Sequence, residues 1–239
     1  RALSKATIGT LLHQVLAGFW AEVQNSHNLA AMSVTEQANL IQKIINDLIA
    51  SHYPTHVLSN VLKIFTADTA NRWINYERER EIDFVVIAIE KNYQLALDNA
   101  VLNVRIDRID KLSTGDLVIV DYKTGKLSAT DWLGDRPDNV QLPVYIDVIA
   151  SHYTQDISAV YAGVLKEKIG FAGISQHPEM QNLHSASAKK CLDNIVNNNL
   201  DNIYKIVAEY VAGEANISPK NSQVCNYCKV SSLCRMKSL

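Results

Sequence analysis

The chain has 239 residues, 47% hydrophobic, 20% charged and 7% aromatic, enough to bury one sizeable core or a core plus a small appended module. No apolar run approaches the roughly 18 residues that a membrane-crossing helix needs, which excludes a membrane protein. A formal net charge of −2 offers no basic excess, so any contact with a polyanion must be local; the cations available for it are Arg72, Arg78, Arg80, Arg105, Arg108 and Lys111, interleaved with Glu77, Glu79 and Glu81.

From Ile8 the apolar residues Leu11, Leu12, Val15, Leu16, Phe19, Trp20 and Val23 recur at helical spacing, which predicts a helix with one broad buried face. Further helices are expected over Thr35–Ser51, with Ser33 or Thr35 as N-cap, and over Val57–Arg80. The first third, residues 1–80, therefore reads as helical. The period then changes to two. Phe84–Ile89, Val101–Ile109 and Leu117–Val120 are short and rich in Val and Ile, with Asn92, Asp98-Asn99 and Thr114-Gly115 as turn formers, and together they predict a meander of strands. A helix from Asp138 to His152, a strand pair over Val160–Lys166 and the residues after it, and a long helix over Ser185–Ala212 complete the pattern. We expect one domain over 1–239, with a catalytic sheet and helix in 81–170 and a closing helix and cysteine tail in 171–239.

Along Val101–Asp110, Leu102, Val104 and Ile106 point to one side of a strand, and Asn103, Arg105 and Asp107 to the other. The next strand starts as a continuous apolar run suited to a sheet covered on both faces, then ends in Asp121-Tyr122-Lys123. Asp121 and Lys123 share a face, about 6 to 7 Å apart along the strand. Two carboxylates on neighbouring strands with a lysine beside one of them can hold a hard divalent cation such as Mg²⁺. Such a cation lowers the pKa of a bound water and neutralises charge on a phosphodiester. Spacing alone leaves a second reading open, a surface ion-pair cluster at strand ends.

The residues Arg105 to Asp110, the Gly115 turn, Val118 to Gly125, Trp132 and Gln141-Leu-Pro-Val-Tyr145 together resemble the nuclease core of the PD-(D/E)xK superfamily, and within it the RecB/AddB branch. The resemblance runs from about Gly9 to Arg235, with Val104 standing where relatives usually carry glycine. It implies a restriction-endonuclease-like α/β core, a mixed sheet flanked by helices, with the helical first third packed against it. It further implies metal ligation by Asp107, Asp121 and the backbone carbonyl of Tyr122, with Lys123 as the catalytic lysine. Gly9 to His13 match an early G-x-x-x-H motif, which implies that His13 ligates or steadies the metal. Gln141 and Tyr145, four apart on one helix face, match a Q-x-x-x-Y motif that contacts DNA or supports the site, with Arg105 and Arg108 as further DNA contacts. Glu90 falls where relatives often carry a glutamate and is assigned no role.

Cys225, Cys228 and Cys234 form C-x2-C-x5-C, a spacing suited to a soft metal or an iron–sulfur cluster in a reducing compartment, which favours the cytoplasm. The resemblance implies three ligands of a [4Fe–4S] cluster whose fourth cysteine would precede the first helix, ahead of Arg1, so the cluster is expected in the full-length protein and the tail here incomplete. Cys191 reads as a buried structural thiol. The function expected is Mg²⁺- or Mn²⁺-dependent cleavage of DNA in repair or recombination, as an exonuclease working with a helicase. Lys123-Thr-Gly-Lys126 lacks the glycine and the Ser or Thr of a phosphate loop, so no motor is present. The alternative is an inactive nuclease-fold domain kept as a DNA-end-binding or structural module.

Overall fold

A computed structural model describes residues 5–52, 59–97, 100–125, 135–164, 169–174, 192–214, 216–217, 219–230 and 233–234. Helix α1 spans Lys5–Val23, α2 Ser26–Ala31, α3 Val34–His52 and α4 Ser59–Arg78; strands β1 (Phe84–Leu97), β2 (Ala100–Leu112) and β3 (Leu117–Lys123) follow, then α5 (Gln141–Ala150), β4 (Ile157–Gly163), β5 (Gly170–Ile174) and α6 (Leu192–Val211). Trp132 and Cys191 lie outside the described residues. Among the described residues no helix is long and apolar enough to cross a membrane.

The helical boundaries have local causes. Leu11, Leu12, Val15, Leu16, Phe19, Trp20 and Val23 of α1 are at most 2% exposed, the stripe their spacing predicts. At the start of α3, Ser33 Oγ accepts from the Glu36 amide at 3.2 Å while Glu36 Oε2 accepts from the Ser33 amide at 2.8 Å, a reciprocal pair that satisfies two donors at a helix start. Helix α5 begins at Gln141 rather than at Asp138. Pro143 lacks an N–H and its ring would collide with the carbonyl four residues back, so it fits only a first turn; Asn139 Oδ1 accepts from the Gln141 amide at 3.0 Å instead. The short α2 has no counterpart in the sequence pattern; the Asn25 side chain caps it through the Asn28 amide at 2.7 Å.

The sheet has the order β1-β2-β3-β4-β5. Its pairs are antiparallel except β3–β4, which are parallel and joined through α5. Two apolar layers sandwich it. On one side α1, α3 and α4 cover Val118, Val120, Tyr122, Val160 and Ala162; on the other α5 and α6 cover Leu117, Ile119, Ala159 and Tyr161. This double cover is why β3 reads as an unbroken apolar run. The result is the restriction-endonuclease-like α/β core with a helical N-terminal region that the resemblance implies.

The first two strands depart from expectation. β1 does not stop near Ile89 but continues to Leu97, and it pairs with β2 from Phe84↔Leu112 to Leu97↔Ala100. Asn92 is not a turn: it sits opposite Arg105 in that ladder. β2 pairs with β3 only over Arg108↔Val120 to Lys111↔Leu117, so residues 91–97 and 100–106 leave the sheet as a two-stranded ribbon. The alternation of faces also slips there. Ile106 and Ile109, three apart on β2, pack in the same layer, as do Ala88 and Tyr93, five apart on β1. Both strands thus shift by one around Glu90 and Asp107.

Candidate metal centre

The site forms where β2 parts from β3. Beyond Arg108↔Val120 the ladder is replaced by a side chain, as Asp107 Oδ2 accepts from the Tyr122 amide at 2.9 Å. Asp107 is 7% exposed, and the same oxygen lies 3.3 Å from His13 Nδ1. His13 reaches it because α1 passes close to the end of β3. A Cβ on Gly9 would stand 3.3 Å from Thr124 Oγ1, so the glycine one turn before the histidine permits that approach. Glu90 on β1 has φ 47°, a left-handed conformation that costs a non-glycine residue energy and concentrates at functional sites. Ligand atoms of His13, Glu90 and Asp107 all lie within 4.8 Å of one another, and among the described residues this is the group of three that could close around a cation.

Electrostatics mark the same place. Burial pulls the His13 imidazole down, but the hydrogen bond to Asp107 and the charges of Asp107, Asp121 and Glu90 outweigh it, and its pKa rises. Burial, then the charge of Asp107, raises the Glu90 carboxyl against the opposing pull of Arg105 and His13. Asp121, 3% exposed, is pushed up to about 6 by burial, with Lys123 pulling the other way and Asp107 adding to the rise. Carboxyls held in a partly buried, mutually repelling cluster are in surplus of negative charge, the condition a divalent cation relieves.

Asp121 does not join the three-residue group. Its Oδ2 is ion-paired to Lys123 Nζ at 2.6 Å, and the charge of that ammonium opposes the rise that burial imposes on the carboxyl. Lys123 Nζ donates to Gln141 Oε1 at 2.5 Å, Gln141 Nε2 to the Tyr145 hydroxyl at 3.2 Å, and that hydroxyl to the Arg105 carbonyl at 3.2 Å. The two α5 residues therefore tie the lysine to β2. Burial raises the Tyr145 phenol to about 12, which keeps it a donor.

The arginines part company. Arg105 is exposed and ion-paired to Glu90 at 3.0 Å. Arg108, expected at the DNA surface, is 1% exposed. Its guanidinium donates to Glu77 at 2.5 and 2.7 Å, to Asp110 at 2.8 Å through both Nε and Nη2, and to the Tyr122 hydroxyl at 2.8 Å. Arg80 joins the same network at 3.2 Å from Glu77 and 2.9 Å from Asp110, and Trp73 Nε1 donates to Glu77 at 2.5 Å. A guanidinium with every direction occupied inside the protein does not meet solvent or phosphate, so this correction follows from satisfied buried charge. Arg78 likewise points inward, to the Leu29 and Met32 carbonyls and Gln37.

Sequence reasoning noted Glu90 but assigned it no role. A signal existed: a lone glutamate ends the apolar run Phe84–Ile89, as Asp121 ends its own. At the far end of the chain Cys225, Cys228 and Cys234 are free thiols around a turn of 3₁₀-helix, Ser222–Tyr227. They border an apolar cavity of about 570 Å³ with Val224, Val230 and Leu233.

Residues 1–235 match the family model of the PD-(D/E)XK nuclease superfamily. No curated protein matches the chain as a relative.

Proposed function

The chain belongs to the PD-(D/E)XK nuclease superfamily, whose members hydrolyse phosphodiesters with divalent metals, and on that premise we propose a Mg²⁺- or Mn²⁺-dependent DNA nuclease. The observation that carries the reading is the convergence of His13, Glu90 and Asp107, with ligand atoms within 4.8 Å of one another, beside the buried Asp121 and its ion pair with Lys123. Two carboxylates and an imidazole suit a cation between the hard and borderline classes. Asp121 and the Tyr122 carbonyl would complete its shell from β3. When bound, the cation supplies an activated water and neutralises charge on the phosphoryl oxygens.

The remaining work falls to the chain itself. Lys123, held between Asp121 at 2.6 Å and Gln141 at 2.5 Å, keeps one ammonium direction for the substrate. There it orients the attacking water or meets the negative charge developing on the phosphoryl oxygens. Gln141 and Tyr145 are positioning residues: they fix Lys123 against the β2 backbone, so the ammonium needs little reorganisation as charge develops. His13 anchors Asp107 through a contact of 3.3 Å and would share in holding the cation.

We place this activity in DNA repair or recombination, as an end-dependent exonuclease of the RecB/AddB type partnered by a helicase. The support for the branch is its motif set: G-x-x-x-H at Gly9–His13, D-x-K at Asp121–Lys123, Q-x-x-x-Y at Gln141–Tyr145 and the cysteine tail. The apolar cavity bordered by the three thiols fits an iron–sulfur cluster in part, since three ligands are present and a fourth must come from elsewhere.

The test is incubation with end-labelled linear and circular DNA, single- and double-stranded, in Mg²⁺, Mn²⁺ or EDTA, beside Asp121→Ala and Lys123→Ala. Metal-dependent cleavage lost in both variants is expected. If both variants cleave as well as the wild type, the site is misassigned; if the wild type binds DNA ends but never cleaves, the domain is a binding module.

A further inference from the structure

Residues 91–97 and 100–106 form a ribbon that β3 does not reach, since β2–β3 pairing ends at Arg108↔Val120. Its inner face, Tyr93, Leu95, Leu102 and Val104, packs on the layer of α5. Its outer face consists of three cross-strand pairs, Asn92↔Arg105, Gln94↔Asn103 and Ala96↔Val101, and all six residues are exposed. Gln94 Nε2 donates to Asn103 Oδ1 at 2.9 Å, which holds two amides side by side. Arg105 on that face bonds Glu90 at 3.0 Å, so the face runs without a break into the metal centre.

Resting on the nuclease reading above, we propose that this outer face is a track for B-form duplex DNA, seated in a groove and delivering the backbone to Glu90 and Asp107. Three properties favour that occupant. A two-stranded ribbon is the β element that the roughly 12 Å major groove admits. The ribbon from Lys91 to Leu97 is about 20 Å long, which matches about six base pairs. Asn and Gln carry donor and acceptor together and suit base edges and phosphates. Single-strand tracks instead offer rings on which bases stack, and the six residues of this face include none; Tyr93 is turned inward. Duplex RNA presents a major groove too deep and narrow for the ribbon.

The experiment measures affinity by fluorescence anisotropy in Ca²⁺, and steady-state cleavage in Mg²⁺, for the wild type and Gln94→Ala/Asn103→Ala. Probes are a short blunt DNA duplex, its single strand and the same duplex in RNA. The duplex-DNA Kd should rise at least about fivefold. KM should rise with it while kcat and the melting temperature stay unchanged. The slope of log Kd against log salt should also hold, because amides release no counterions. An unchanged duplex Kd overturns the track, and an equal loss on single-stranded DNA or on RNA overturns its assignment to B-form duplex. A wild type that cleaves no DNA but loses duplex affinity on this substitution would remove the nuclease reading and leave the track standing.

Discussion

Arg108→Met tests whether this arginine works inside the protein or at the DNA surface. Methionine roughly conserves volume but leaves Glu77 and Asp110, each at most 1% exposed, with Arg80 as their one remaining cation in the network. It also strips a donor from the Tyr122 hydroxyl and the cation above Trp20, 4.4 Å from its ring centroid. Removing one partner of a buried ion pair costs about 3–5 kcal/mol because the other charge stays desolvated and alone. For a domain of this size each kcal/mol shifts Tm by about 2–4 °C, so the variant should melt about 6–20 °C lower. Urea unfolding should give the same loss through its midpoint, with an unchanged slope. DNA binding well below the melting point should keep its salt dependence, whereas loss of a phosphate contact would lower that slope by about 1. A stability loss under about 1 kcal/mol together with a lowered salt slope would refute the buried-brace reading and restore Arg108 to the interface.

Glu90→Gln should weaken Mn²⁺ binding, read by calorimetry, about 10- to 100-fold while the fold survives, because it removes one of the two carboxylates in the group of three. Gly173→Ala should destabilise the fold by at least about 1–3 kcal/mol, as overpacking does, and lower the melting temperature accordingly, since its Cβ would stand 2.3 Å from the Ala159 carbonyl and 2.5 Å from Val160 Cα. Gly115, with φ 100°, is not an equivalent control, so Gly125→Ala, which meets nothing within 4 Å among the described residues, serves as the control. Asp121 has a folded pKa of about 6, above its unfolded value of about 3.9. Its contribution to the stability of the metal-free protein is therefore fully present below about pH 4 and is lost as pH rises through about 6. Thermal melts in EDTA should show that loss between about pH 4 and 6, and added Mg²⁺ should reverse it at pH 7, because binding requires the ionised carboxylates.

Much of the framework was legible because it depends on local pattern. The stripe from Leu11 to Val23, the Ser33/Glu36 capping pair and the apolar run into Asp121-Tyr122-Lys123 each carry their signal within a few residues. Asn92 misled because its turn propensity is outweighed by the ladder partner Arg105 and by the inward packing of Tyr93 and Leu95, which follow it on the strand. Arg108 misled because charge argues for the surface unless partners are visible, and Glu77 lies 31 residues away in the sequence. The role of Glu90 depends on a one-residue slip in two strands at once, which strict alternation cannot reveal. The site motifs were readable as types, but the link from Lys123 through Gln141 and Tyr145 to the Arg105 carbonyl exists only once α5 is set against β2.

That slip at Glu90 and Asp107 also has a consequence for how such a chain can vary over evolutionary time. Because β3 releases β2 at Arg108, the hairpin beyond that point is free of the register that holds the rest of the sheet. Cross-strand pairs can be inserted or deleted near its tip in twos, preserving which residues look outward, without moving a ligand atom at its base. Insertion of a single pair would invert every face beyond it. Lineages and engineers alike can then change the reach of the hairpin in fixed increments while the chemistry beneath it stays constant.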